Sequence, residues 1–217
     1  MLVVLLGAPG TGKGTQARLL AEKYNLSILS TGEILRNAIN KKTKLGLQIK
    51  EVMNSGGLVP DDMVSPLIEN ELKKKASNNG YILDGFPRTL AQAHTLDDII
   101  INNNIDKFYV ISLSLGEKEI VNRLSARMFC QRCNQSYNTI TKHSKIKGKC
   151  DICGHTHFYT REDDKEKSIN TRLSLYATQT SILTDYYKTY KNYVSIDANQ
   201  DIEQIHKQIT SLMEQLF

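Results

Sequence analysis

Apolar positions recur along this chain with two different periods. Short, nearly continuous apolar runs predict buried strands, and longer segments with apolar residues every three or four positions predict amphipathic helices. The predicted strands cover residues 2–6, 27–29, 81–83, 108–113 and 193–196. The predicted helices cover residues 13–23, 63–75, 90–101, 118–127, 168–190 and 202–216. This alternation favours an α/β fold whose mostly parallel sheet is covered on both faces.

The loop after the first predicted strand carries the most specific chemistry. Residues 7–15 read GAPGTGKGT, so Gly7 and Lys13 have the G-x-x-x-x-G-K spacing of a phosphate-binding loop. Glycines let backbone N–H groups approach phosphate oxygens, and the following helix adds the positive end of its dipole. Gly14 replaces the usual Ser or Thr that holds magnesium, so the metal would need a carboxylate from elsewhere. The alternative is a glycine-rich turn with a solvated lysine, in which Thr15 is simply a residue of the first helical turn.

Length and charge set modest limits. The chain has 217 residues, with 28 lysines and arginines against 23 aspartates and glutamates. This length suits one α/β domain with insertions better than two independent domains. The basic excess suits a polyanionic ligand and would equally suit weak contact with nucleic acid. The sequence has no long apolar span and no basic, apolar leader, so we expect a cytoplasmic protein outside the membrane.

All four cysteines fall in two C-x-x-C pairs. Two such pairs present four thiolates from two tight turns, which is the arrangement of a structural Zn²⁺ site in a polar segment. Two disulfides or four free thiols are the alternatives, and a reducing cytosol disfavours disulfides. His143, His155 and His157 could substitute as ligands, but beside four thiolates we expect them to be exposed loop residues. The predicted zinc ligands are Cys130, Cys133, Cys150 and Cys153.

Further motifs follow in order along the chain. They are residues 30–36 (STGEILR), 57–61 (GLVPD) and 84–89 (DGFPRT) with Gln92, then Arg123 and Arg127 before the cysteines, and 161–164 (REDD) with Arg172 after them. Together with the phosphate loop, they make the whole chain resemble an adenylate kinase of the long-lid bacterial type with a zinc-bearing lid. Several motifs in the expected order are far more specific than any one of them alone.

The resemblance implies a P-loop NTPase-like fold in three parts. A core with a five-stranded parallel sheet, formed by residues 1–29, 60–126 and 165–217, would carry two insertions. Residues 30–59 would form a helical insert that binds the nucleoside monophosphate (NMP), and residues 127–164 a lid that excludes water on closing. The implied reaction is reversible transfer of the γ-phosphoryl group of Mg·ATP to AMP, giving two ADP. The implied enzyme is a monomer that binds neither nucleic acid nor membranes.

The resemblance also implies a catalytic cluster of cations. Phosphoryl transfer needs in-line positioning and positive charge on the phosphoryl oxygens, and an arginine can bind two oxygens at once. Asp84 ends an apolar strand, where its carboxylate could hold magnesium through water or act as a turn or N-cap aspartate. Arg18 and Arg132 lie outside the motifs, so we expect them to be surface charges. The predicted catalytic residues are Lys13, Asp84, Arg88, Arg127, Arg161 and Arg172.

By the same resemblance, each nucleotide has its own set of contacts. The ATP contacts would be Gly10, Thr11, Gly12, Lys13, Gly14, Thr15, Arg123, Arg127, Ser136, Tyr137 and Gln200. The AMP contacts would be Thr31, Arg36, Gly57, Leu58, Val59, Gly85, Arg88, Gln92, Arg161 and Arg172. Thr31 and Gln92 would hydrogen-bond the AMP base, and Arg123 would stack on the adenine of ATP. Glu33 departs from the Asp usual in the family, and Thr11 replaces a smaller residue.

Two other functions remain compatible with the motifs. A kinase for another nucleoside monophosphate, such as the UMP/CMP type, would share the loop and the arginines but typically lacks a long cysteine-bearing lid. A nucleotide-gated nucleic-acid-binding protein would use the zinc ribbon and the basic charge as its contact surface. The cysteine-bearing segment has few aromatic residues for base stacking beyond Tyr137, Phe158 and Tyr159, which argues against the second.

Overall fold

The computed structural model describes residues 1–40, 44–73 and 79–215. Five of its strands form the predicted parallel sheet in the order β2-β3-β1-β4-β8, and three form a small antiparallel sheet in the order β6-β5-β7. The strands are β1 (Leu2–Gly7), β2 (Ser27–Ser30), β3 (Tyr81–Asp84), β4 (Phe108–Ser114), β5 (Arg127–Cys130), β6 (Ser136–Asn138), β7 (Phe158–Tyr159) and β8 (Tyr193–Asp197). The fold is thus the predicted α/β architecture of a P-loop NTPase.

The predicted helices are present with shifted ends. The helices are α1 (Lys13–Tyr24), α2 (Thr31–Asn40), α3 (Lys44–Asn54), α4 (Asp61–Lys73), α5 (Leu90–Asn102), α6 (Glu117–Ser125), α7 (Glu166–Leu175), α8 (Ile182–Tyr187) and α9 (Ile202–Gln215). A 3₁₀ turn at Glu162–Asp164 precedes α7, and a π-helical turn at Tyr176–Thr180 divides the predicted helix 168–190. The predicted ends at residues 75 and 216 lie outside the described ranges. Within those ranges, no helix is long and apolar enough to span a bilayer.

Both faces of the main sheet are buried. Val4 of β1 packs in the same apolar cluster as Leu83 of β3, whereas Val3 packs with Ile82 in the cluster on the other face. Successive side chains of a strand point to opposite faces, so a strand buried on both faces needs a continuous apolar run. The first run of the sequence has this character because β1 is the central strand.

The carboxyl ends of the central strands position the functional residues. In the parallel register, Leu5 of β1 is opposite Asp84 at the end of β3, and Gly7 is opposite Leu113 of β4. The phosphate loop and Asp84 therefore emerge at one edge of the sheet, side by side. In open α/β sheets, ligands bind at this edge.

The three-stranded sheet has a much smaller core. Its buried cluster consists of Cys130, Tyr137 and Cys150, with the half-buried Met128 and Phe158 packed against it. Two of its three buried members are cysteines, so apolar burial alone contributes little to holding these strands together.

Candidate functional site

A cleft of about 340 Å³ opens at the carboxyl edge of the main sheet. Its walls come from the phosphate loop, the start of α2, the segments 56–59 and 84–88, and the three-stranded sheet. Every residue predicted above for catalysis or nucleotide contact lines this cleft. The structure thus brings together side chains that are up to about 190 positions apart in sequence, from Gly10 to Gln200.

The phosphate loop owes its shape to glycine. Gly7, Gly10 and Gly12 have φ of 135°, 86° and 97°, a backbone region that side chains rarely adopt. A Cβ on Gly7 would lie 2.4 Å from the carbonyl oxygen of Leu113, so the strand can pass into the loop only with glycine there. Thr11 is buried and donates a hydrogen bond from its hydroxyl to the carbonyl of Ala8 at 2.9 Å, which accounts for a larger residue at this position.

Lys13 folds back over the loop from the first turn of α1. Its Nζ donates to the carbonyl oxygens of Gly7 and Ala8 at 2.8 and 2.9 Å. Burial lowers the pKa of the Lys13 ammonium to about 8; Asp84 opposes this shift, whereas Arg88 and other nearby arginines lower the pKa further. Burial and nearby like charges disfavour the charged form of Lys13, so an anion that enters the loop stabilises the ammonium.

Gly14 and Asp84 face each other across the loop. A Cβ on Gly14 would lie 3.3 Å from Oδ2 of Asp84, closer than most Cβ contacts. A Ser or Thr at position 14 would therefore press against this carboxylate, so the glycine makes room for it. A carboxylate beside a phosphate loop suits the hard, oxygen-preferring Mg²⁺, either directly or through water.

Two arginines from different elements meet at one buried carboxylate. Arg127 of β5 donates from Nε and Nη2 to the two oxygens of Asp164 at 2.8 and 2.5 Å. Arg172 of α7 donates from Nη1 to Asp164 Oδ1 at 2.9 Å and to the carbonyl of Asp163 at 2.8 Å. The Asp164 side chain is fully buried. Asp164 therefore pairs with both arginines, and this pairing fixes both guanidinium groups at the cleft.

Arg88 and Arg161 complete the cationic wall. Arg88 Nε donates to the carbonyl of Gly85 at 3.0 Å, and the Arg161 guanidinium lies 3.4 Å from the centroid of the Phe129 ring. Burial, followed by nearby arginines, lowers the pKa of both guanidinium groups, that of Arg161 to about 10. Buried Nε of Arg161 has no hydrogen-bond partner among the described residues. The lining of the cleft thus holds more cations than carboxylates, which is the character of an anion site.

The predicted AMP side of the cleft is lined by several polar side chains. Thr31, at the start of α2, is buried, and its hydroxyl has no hydrogen-bond partner within the described part of the chain. The Arg36 guanidinium lies over Gly32, where a Cβ would come within 2.9 Å of Nη2. Gln92 of α5 is also buried, and it lines the cleft together with the segment 57–59.

The residues predicted to contact ATP have different kinds of partners. Arg123 Nε pairs with Glu119 one turn earlier at 2.8 Å, with the guanidinium at the cleft. The Tyr137 hydroxyl belongs to the cysteine region, because it donates to Sγ of Cys150 at 3.4 Å. Gln200 lines the cleft from the loop between β8 and α9.

Sequence reasoning missed Arg18. Arg132 is exposed, as expected for a surface charge, but the same expectation is wrong for Arg18. Arg18 is half-buried and lines the cleft, and its Nη1 donates to Gln135 Oε1 and to Ser136 Oγ, both at 3.1 Å. Burial and Arg18 both lower the pKa of nearby Lys142. The partners of Arg18 are more than a hundred positions away, so no local pattern indicates the contact.

The four cysteine sulfurs form one group. Cys130 and Cys153 Sγ atoms are 3.5 Å apart, as are those of Cys133 and Cys150, and all four lie within 4.8 Å of one another. A disulfide would need about 2 Å. A tetrahedron with Zn–S bonds of 2.3 Å has edges of about 3.8 Å, so these spacings fit a four-thiolate metal site.

The two cysteine turns are built alike. Asn134 and Gly154 both have left-handed φ, 56° and 71°. Each donates its backbone N–H, at 2.9 Å, to the carbonyl of the first cysteine of its pair, Cys130 or Cys150. Asn and Gly are the residues that adopt this conformation most readily, so the local sequence itself specifies the turns that present the thiols.

Comparisons with known proteins agree with this geometry. A family model described as adenylate kinase matches residues 5–192. A protein of Thermosipho africanus named adenylate kinase is 40% identical over 213 residues, covering 98% of this chain and 99% of the relative. Relatives with the same name from Methanocella arvoryzae and Methanothrix thermoacetophila are 41% and 42% identical, over 100% and 98% of both chains.

Proposed function

The chain belongs to the adenylate kinase family of nucleoside monophosphate kinases, and we propose that it transfers the γ-phosphoryl group of Mg·ATP reversibly to AMP, giving two ADP. The observation that carries this proposal is the convergence of five cations on one cleft. They are Lys13, Arg88, Arg127, Arg161 and Arg172.

The cations would act by position and charge. The acceptor in this reaction is already an anionic phosphate, so the protein needs no general base. Lys13 would bind the β- and γ-phosphates, Arg88 and Arg36 the phosphate of AMP, and Arg127, Arg161 and Arg172 the group in transfer. The hydrogen bonds that Arg127 and Arg172 donate to Asp164 support this role, because they orient both guanidinium groups before substrate arrives.

Asp84 would hold magnesium at the phosphate loop. When bound, Mg²⁺ neutralises phosphate charge and orients the oxygens for in-line attack. The 3.3 Å separation between Oδ2 of Asp84 and a Cβ at Gly14 supports this position.

The two insertions would close over the substrates. We assign residues 30–59 to NMP binding and residues 127–164 to the lid, with residues 1–29, 60–126 and 165–217 as the core. Closure would assemble the arginines only around bound phosphates and would exclude water that could otherwise accept the phosphoryl group. A zinc ion on Cys130, Cys133, Cys150 and Cys153 would stabilise the lid without taking part in the reaction.

The experiment is a measurement of ADP formation from Mg·ATP with AMP, CMP, UMP and GMP supplied separately. Lys13→Ala protein is the blank. Strong selectivity for AMP supports the proposal and the base contacts of Thr31 and Gln92. Preference for CMP or UMP would agree with the proposed phosphoryl transfer but would contradict AMP as the acceptor. Steep salt-dependent binding of oligonucleotides without ADP formation would instead favour a nucleic-acid-binding protein.

A further inference from the structure

The amide of Gln92 is held at both ends by groups of opposite hydrogen-bonding character. The backbone N–H of Arg88 donates to Oε1 of Gln92 at 2.7 Å, and Nε2 of Gln92 donates to Oδ1 of Asp61 at 2.6 Å. A backbone N–H can only donate, and an ionised carboxylate can only accept. Exchanging the amide oxygen and nitrogen would lose both hydrogen bonds, so this pair of partners allows one orientation of the Gln92 side chain.

Asp61 is itself fixed in place. It is the first residue of α4, and its second oxygen, Oδ2, accepts a hydrogen bond from Thr89 Oγ1 at 2.7 Å. Thr89 is the N-cap of α5, the helix that carries Gln92. The carboxylate therefore links the start of α4 to the start of α5, and its two oxygens accept from two side chains of α5.

The fixed amide retains unused hydrogen-bonding capacity. A primary amide has two N–H donors and two lone pairs on oxygen. Arg88 occupies one lone pair and Asp61 one N–H, which leaves one donor and one acceptor in a set order. Gln92 lines the cleft, as does Thr31, whose hydroxyl has no hydrogen-bond partner among the residues that the structure describes.

This order is what distinguishes two classes of purine. Adenine presents an acceptor at N1 and a donor at its 6-amino group, whereas a 6-oxopurine such as hypoxanthine presents a donor at N1 and an acceptor at O6. An amide whose oxygen and nitrogen cannot exchange places can hydrogen-bond with one of these two patterns. Against the other pattern it would face a donor with a donor and an acceptor with an acceptor.

Building on the proposed function, we propose that Asp61 is a specificity-determining residue, whose carboxylate fixes the Gln92 amide in the orientation that accepts adenine and rejects 6-oxopurines. Asp61 acts through Gln92 and is therefore a positioning residue. In Asp61→Asn, the side chain at position 61 can offer either an acceptor or a donor to Gln92. A Gln92 amide with its oxygen and nitrogen exchanged can then also form a hydrogen bond with position 61.

The test compares AMP with IMP, which differs from AMP in these two groups. For the wild type, kcat/KM with AMP should exceed that with IMP. In Asp61→Asn this ratio should fall about tenfold, the size expected for losing control of one bidentate base contact. The loss should appear in the KM for the monophosphate, with the KM for ATP unchanged. Asp62→Asn is the matched control, since Asp62 is exposed and carries the same charge in the same helical turn.

Two further variants separate specificity from a structural role. Asp61→Glu keeps an acceptor-only group and should restore part of the AMP preference. In a Gln92→Ala background, Asp61→Asn should leave the AMP-to-IMP ratio unchanged, because the residue it orients is missing. An equal loss for AMP and IMP in Asp61→Asn, or a ratio change that persists without Gln92, would overturn the inference. A wild type that fails to phosphorylate AMP would instead overturn the proposed function.

Discussion

The two sheets of this protein are stabilised in different ways. The five-stranded sheet is buried on both faces, and its central residues, such as Val3 and Val4, are completely inaccessible. The three-stranded sheet has a cluster in which Cys130 and Cys150 take the place of large apolar side chains. The first is stabilised mainly by removing apolar surface from water, whereas we expect the second to depend on a metal crosslink.

The phosphate loop of the large sheet and the cysteine group of the small sheet also differ in their position relative to the cleft. The phosphate loop at the end of β1 lines the cleft, and burial lowers the pKa of its Lys13 ammonium. The cysteine group is not among the residues that line the cleft. We therefore expect loss of the Lys13 charge to alter turnover without loss of stability, and changes at the cysteines to alter stability first.

The largest expected effect is that of Lys13→Met. Loss of the ammonium should lower kcat by about 10²–10³-fold, the usual cost of removing one charge-stabilising donor. The free energy of unfolding should stay the same or rise, because a desolvated cation near Arg88 and Arg172 is removed. A coupled ADP assay and urea denaturation measure the two quantities. A marked loss of stability would contradict the predicted separation.

Metal removal should have the next largest effect, and on stability. Cys133→Ser, at an exposed member of the group, should release the metal and lower the free energy of unfolding by about 2 kcal/mol or more. For a chain of this size, that loss corresponds to roughly 4–8 °C in Tm. Metal content and calorimetry measure the effect, while kcat at low temperature should change little. His155→Ala is the control, and metal loss in that variant would make the histidine a ligand.

A smaller effect should follow from pH. The pKa of Lys13 is lowered to about 8 by burial, so the free enzyme loses this charge above that pH. The value of kcat/KM for ATP should then fall up to tenfold per pH unit above about 8. The decline in kcat should begin at higher pH, because bound phosphates favour the ammonium. Lys13→Arg, whose side chain stays charged, should not show the step near pH 8.

The smallest effect should come from Arg18→Ala. This variant loses two hydrogen bonds to Gln135 and Ser136 on the three-stranded sheet, at a partly solvated position. Such contacts contribute about 1 kcal/mol or less, so the KM for ATP should rise by about two- to fivefold. Arg132→Ala removes an exposed arginine from the same region and should change nothing. Equal effects of the two substitutions would make the Arg18 contacts irrelevant to nucleotide binding.

The parts of the structure that were predictable from the sequence have local signals. The strands could be identified because β1 is apolar on both faces, and the cysteine turns because each C-x-x-C pair is followed by a residue suited to left-handed φ. The phosphate loop was predictable because Gly7 and Lys13 have the spacing that lets a loop bind phosphate through its backbone N–H groups and its lysine.

The parts that were not predictable depend on tertiary contacts. The π-helical turn inside the predicted helix 168–190 has no signal in hydrophobic period, because periodicity continues through it. The contact of Arg18 with β6 and that of Asp61 with Gln92 join residues 118 and 31 positions apart. Such pairs are recognised only once the fold has placed them together.

Gly56 lies where two parts of the molecule touch. Its φ is 80°, and a Cβ there would come within 2.5 Å of the Ser168 carbonyl oxygen and 3.2 Å of Cγ of Arg172. Ser168 in turn donates its hydroxyl to the carbonyl of Asn54, at the end of α3. The segment that would bind the monophosphate thus packs against α7, the helix that carries Arg172. Where two binding sites are coupled through such a contact, the coupling is reciprocal. Any factor by which bound ATP changes the affinity for AMP must equal the factor by which bound AMP changes the affinity for ATP.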